Sequence, residues 1–168
     1  MLKYLLKAPE AGWAAASPAQ ATVENLKIRY LGTAGFILSD QHRTVVLDPF
    51  ISRPSLWQTF TQPLLSDPAL VRQYIPQADE VLIGHAHYDH ILDAPEVCKQ
   101  TGARLIGSQA SLMYGRSAGL SEQQMLETKG RETIDCGKWQ VVGLPSIHGK
   151  ALFGRVPLSG DMTTPPPY

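Results

Sequence analysis

The chain has 168 residues, 43% hydrophobic and 18% charged, which suits one globular domain with a real core. Fifteen basic residues balance fifteen acidic ones, so no net field draws nucleic acid or an anionic membrane, and no apolar run reaches the length of a membrane span. Cys98 and Cys136 are too few for a disulfide scaffold and sit at no metal-ligand spacing; they read as small buried thiols in a reducing, cytoplasmic compartment.

Residues 1–24 begin with a positive stretch, but Lys7, Pro9 and Glu10 interrupt the apolar run that a secretory signal needs. They are expected to form a leader of short helix and loop, followed by a domain over 25–168. Leu26–Leu31, Phe36–Ser39 and Thr44–Leu47 read as three strands, with a hairpin turn over residues 39–43. His42 in that turn is expected to be solvated. Residues 49–66, with Pro54 and Pro63, form a long loop, and loops of that length in compact domains are often functional. Trp57 and Phe60 in it are expected either to wall a substrate pocket or to pack as an apolar flap.

Asp67 with Pro68 opens a helix that Pro76 closes. Glu80–Ile83 is a short buried strand. Asp93 caps a second helix that Gly102 ends, and Arg104–Ile106 is the next strand. Ser108–Tyr114 and Ser121–Leu126 read as short helices, the latter from its capping-box pattern. Arg131–Ile134 and Lys138–Val142 form strands that turn at residues 135–137. An antiparallel meander followed by strands alternating with helices predicts a layered α/β fold.

Residues 85–90 read His-Ala-His-Tyr-Asp-His, straight after the apolar run ending at Gly84. Three imidazoles and a carboxylate within six residues suit Zn²⁺, Fe or Mn²⁺. His85 and His87, two apart in near-extended backbone, leave on the same side and can close on one ion. Asp89 and His90 follow where the chain must turn, and can face a second. A structural zinc site usually closes four ligands, most often with cysteine, which this run lacks.

The run resembles the His-x-His-x-Asp-His signature of the metallo-β-lactamase superfamily. Residues 28–38 and 44–50 resemble that fold's opening strands, and residues 139–148 its next ligand-bearing strand. The similarity covers about 26–148. The branch it most resembles contains the ascorbate-phosphate lactonases and the N-acyl phosphatidylethanolamine phospholipases D.

The resemblance implies an αββα sandwich of which this sequence supplies the N-terminal half. It implies that His85, His87 and His148 hold one ion and that Asp89 and His90 hold the other. Asp89 would also position the attacking water. Two Zn²⁺ per complete site are expected, with Mn²⁺ or Fe as alternatives. Asp48 reads either as a carboxylate supporting the metal loop or as a turn-forming Asp-Pro. Tyr88, Lys150 and Arg155 are weaker candidates for substrate contact.

No histidine follows His148, and Asp161 has only the look of the family's later bridging aspartate. The expected activity is metal-dependent hydrolysis of a phosphodiester, lactone or related small-molecule ester. A non-catalytic metal-binding fragment or pseudo-enzyme is the alternative. His87, where redox members carry a carboxylate, argues against a di-iron redox protein, and nothing specific supports β-lactam hydrolysis. A half-sandwich leaves apolar surface uncovered, which predicts self-association or only marginal stability of the chain alone.

Overall fold

The computed structural model describes residues 25–145. Its centre is a six-stranded sheet whose spatial order follows the chain. The strands are β1 (Lys27–Gly32), β2 (Gly35–Ser39), β3 (Thr44–Leu47), β4 (Glu80–Leu82), β5 (Arg104–Gly107) and β6 (Met125–Glu127). The first three pair antiparallel, and β3 through β6 pair parallel. Parallel neighbours need long crossovers, and helices supply them. These are α1 (Leu56–Thr61) and α2 (Pro68–Tyr74), then α3 (Tyr88–Ile91) and α4 (Ala94–Thr101), then α5 (Gln109–Ser117). A separate antiparallel hairpin joins β7 (Thr133–Cys136) to β8 (Trp139–Val142).

The pleat sends successive side chains to opposite faces, so strands covered on both sides read as apolar runs. Val46, Val81 and Leu105 pack with Val71, Val97 and Leu112 on the helix side. Ile106, Leu82 and Leu126 pack on the other face with Ile134, Cys136 and Trp139 of the hairpin. Helix layer, sheet and hairpin form the expected layered α/β arrangement.

The hairpin is docked through the 39–43 turn. Asp40 accepts hydrogen bonds from the His42 and Arg43 amides and from Trp139 Nε1, each at 2.7 Å. The Trp139 bond, followed by the amides, holds its carboxyl below the usual carboxylate range. His42 is more than solvated: its Nε2 lies 2.9 Å from Lys138 Nζ.

Three local expectations are corrected. The 49–66 stretch contains α1, started by a capping box between Ser55 and Gln58. Trp57 and Phe60, on one side of that helix, are 74% and 84% exposed, so they do not pack as a flap on the described body. Ser121–Leu126 is not an α-helix: residues 122–124 make one 3₁₀ turn and Ser121 makes no side-chain cap bond. Met125 instead seals the helix-side core as the start of β6, so parallel pairing to β5 outweighs the local cap pattern.

Asp93 also departs from its expected role. It precedes α4 but makes no capping bond. The side chain is fully buried and reaches back to the 49–66 stretch. It accepts from the Ile51 and Ser52 amides at 2.5 and 2.8 Å and from the Ser52 and Ser66 hydroxyls at 2.5 Å each. A buried carboxylate satisfied four times over fixes that stretch against the segment that follows the histidine run. Among the described residues no helix is long and apolar enough to cross a membrane.

Candidate metal centre

The parallel strands deliver the histidine run to their carboxyl ends, where open α/β sheets place their ligands. Strand β4 is followed by Ile83, whose amide bonds Ile106 O at 2.9 Å, and then by Gly84. The Gly84 amide donates to Asp48 Oδ1 at 2.7 Å, and a Cβ at Gly84 would stand 3.1 Å from Asp48 Oδ2. Glycine therefore lets the chain pass close beneath this carboxylate. His85 to His87 leaves the strand extended, His87 occupying the cap position of α3 at φ −76° and ψ 150°. The single turn of α3 then swings Asp89 and His90 back toward the sheet.

The expected same-side projection of His85 and His87 is met: His85 Nε2 lies 2.9 Å from His87 Nδ1. The His85 ring also packs on His90, with centroids 4.0 Å apart. His90 is gripped from behind, its Nδ1 lying 2.9 Å from Asp48 Oδ2. A carboxylate in that position accepts a hydrogen bond from Nδ1–H and leaves the Nε2 lone pair facing outward, the tautomer a metal ligand needs. Asp89 Oδ2 stands 3.8 Å from that Nε2.

Asp48 therefore ties the end of β3 to both Gly84 and His90. Its own backbone sits at φ +40°, an unusual value for a residue with a side chain. Of the two readings of Asp48, the supporting one describes its contacts. The cavity beside Asp48 and Gly84, about 460 Å³, has Leu82 and Ile106 in its floor and Ser108, Thr128 and Lys129 at its rim. None of these rim residues stood out in the sequence, because only the sheet topology brings the ends of β5 and β6 beside β4.

The structure gathers His85, His87 and His90 and sets Asp89 next to His90. His148, Asp161, Lys150 and Arg155 lie outside the described residues. Among the described residues no three His, Cys, Asp or Glu side chains close around one point as a metal site. The residues present nevertheless fit a metal in donor chemistry and direction. Two imidazole nitrogens face each other at a strand end, and a third imidazole is oriented by a carboxylate. Cys98 and Cys136 are free, buried and apart from this group. Burial pushes the Cys98 thiol up to about 12, the reverse of a metal-binding thiolate.

The structure thus sets a His-rich loop at the carboxyl end of the parallel strands of a layered α/β sheet. The chain belongs to the β-lactamase superfamily: the family model described as "Beta-lactamase superfamily domain" matches residues 43–159. It is 34% identical over 113 residues to a "UPF0173 metal-dependent hydrolase" of Methylacidiphilum infernorum, covering 67% of this chain and 45% of that one. A protein of the same description from Methanopyrus kandleri is 29% identical over 127 residues, covering 76% and 49%. The chain thus spans about half the length of the curated relatives it matches. Among solved structures it is similar to CmlA, described as a diiron β-hydroxylase from Streptomyces venezuelae. The TM-score is 0.53 and the identity 25%, covering 77% of this chain and 25% of that one.

Proposed function

We propose that this chain carries the metal-holding portion of a hydrolase that splits a phosphodiester, a lactone or a related ester of a small molecule. The observation that carries the reading is the His85–His87 nitrogen pair beside a His90 that Asp48 orients. His85 and His87, with His148, would hold the first ion, and Asp89 with His90 the second. When bound, the metal would supply Lewis acidity toward water and toward the ester oxygen. Asp89 would hold the attacking water in line, and Asp48 would keep His90 from rotating. Relatives named metal-dependent hydrolases support the class. Zn²⁺ is the proposed metal, two per complete site, with Mn²⁺ or Fe as the alternatives, Fe being the metal named for one structural neighbour.

Two free, buried cysteines support a reducing, cytoplasmic setting. On the sheet face away from the helices Ile28 and Tyr30 are exposed, which supports self-association of the isolated chain. A monodisperse monomer by light scattering would count against that association. The alternative reading is a metal-binding member of the same superfamily without turnover of its own.

The test uses the whole natural protein, with metal counted by elemental analysis and hydrolysis followed on bis(p-nitrophenyl) phosphate and a lactone panel. The double substitution His85→Ala plus His87→Ala should remove bound metal; unchanged metal content would end the assignment. Asp89→Asn should keep roughly one ion per chain and lose about two or more orders of magnitude in turnover. Full activity in Asp89→Asn would refute the role given to Asp89. Metal binding without turnover in the wild type would select the non-catalytic reading.

A further inference from the structure

A second cavity opens on the other side of the histidine run. Its volume is about 440 Å³, within the roughly 300–1,000 Å³ range of small-molecule pockets. Leu64, Ala86, Ile91, Leu92 and the rings of Tyr88 and Tyr114 line it, and His87 forms part of the same wall. Among the described residues that line it there is no lysine, arginine, aspartate or glutamate. A charged group placed there would be desolvated without a partner, which costs several kcal/mol or more. An alkyl or aryl group loses only its contact with water, which is favourable.

The walls are fixed rather than collapsible. Ile91 and Leu92 belong to the buried core, and Ala86 and Tyr114 pack against it. Leu64 belongs to the stretch that buried Asp93 grips through Ser52 and Ser66 on either side. Tyr88 stands with its ring edge against Phe50, centroids 5.8 Å apart. Its half-exposed position marks the mouth.

From this geometry we infer that the cavity binds the uncharged apolar arm of the substrate, an aliphatic chain or a ring attached to the scissile ester. This rests on the hydrolase reading of the adjoining histidines. His87 is shared by the cavity wall and the imidazole pair, so an arm seated in the cavity places its attached ester beside that pair. The proximity would convert burial of the arm into orientation of the reacting group. Charged portions of the substrate belong on the opposite side, near Lys129 at the rim of the larger cavity.

Two measurements on the whole metal-loaded protein separate this inference from the function it rests on. The first is kcat/KM for p-nitrophenyl acetate, butyrate, hexanoate and octanoate, and for γ-lactones with matching alkyl tails. The expected rise is about fourfold per added methylene until the cavity is full, the factor that corresponds to about 0.8 kcal/mol per buried CH₂. Leu64→Trp, a loop substitution that fills the cavity, should abolish the rise.

The second is equilibrium binding of the neutral fluorophore N-phenyl-1-naphthylamine, which requires no turnover. Its affinity should fall tenfold or more in Leu64→Trp and persist in His85→Ala. Hydrolysis with no dependence on chain length, equal in wild type and Leu64→Trp, would overturn the cavity assignment and leave the hydrolase standing. Probe binding sensitive to Leu64→Trp, without turnover of any ester, would sustain the cavity and remove the hydrolase. Probe binding indifferent to Leu64→Trp would overturn the cavity assignment by itself.

Discussion

The two ends of the main sheet handle buried polarity in opposite ways. At the amino end, Glu80 opens β4 with 2% of its surface exposed. Arg43 and Arg104 approach its Oε1 at 3.4 and 3.7 Å, and Arg43 also reaches Asp79 at 3.3 Å. Opposite charges meet there at Oε1, while Glu80 Oε2 is buried without a hydrogen-bond partner. At the carboxyl end of the same strand, three imidazoles face one another and the one carboxylate beneath them holds a single ring from behind. Groups of like chemistry cannot neutralise each other. The amino end closes opposite charges on one another, whereas the carboxyl end gathers like groups side by side.

The largest effect on that contrast should come from Asp93, whose buried carboxylate fixes the stretch beside the histidine run. Asp93→Ala leaves two amides and two hydroxyls without their acceptor and should cost about 3 kcal/mol or more of stability. Chemical denaturation would measure it, and a loss below about 1 kcal/mol would mean that the 49–66 stretch is held by other contacts.

A smaller effect is expected at Asp48. Asp48→Ala frees His90 to rotate and should weaken metal binding roughly 10–100-fold with little change in thermal unfolding of the metal-free chain. Equal metal affinity in competition with a chelator would reduce Asp48 to a turn residue. The smallest effect is expected at the closed end. Burial raises the Glu80 carboxyl above its ordinary range, with Arg43 and Arg104 opposing. A raised folded-state value favours the protonated form, so this group's contribution is fully present below the ordinary carboxylate value of about 4.3. It is lost as pH rises through the shifted value. Glu80→Gln should therefore flatten the wild-type decline in stability across that window. An unchanged slope of stability against pH would show that Glu80 titrates normally.

The contrast between the ends was only half visible in the sequence. The histidine run and its strand were legible because the imidazoles and the strand's apolar run lie within ten residues of one another. The meander and the α/β alternation were legible from proline, glycine and capping positions. Asp93 was not, since an aspartate ahead of Ala-Pro matches a helix cap and its true partners lie 27 to 42 residues earlier. Strand β6 was missed for a related reason: a capping box is local, and the pairing that overrides it is supplied by β5. The helical turn α3 escaped notice inside a motif read for its ligands. The Arg43–Glu80–Arg104 cluster joins the turn ahead of β3 to β4 and β5 and has no linear signature.

The unbroken order of the six strands also sets a timetable. Each strand pairs with the one made just before it. During synthesis from the amino terminus, every new strand meets an edge already waiting. Asp48 has left the ribosome well before His90, and the pairing of β1, β2 and β3 involves no strand made later. The support for the histidines is thus laid down ahead of the histidines themselves.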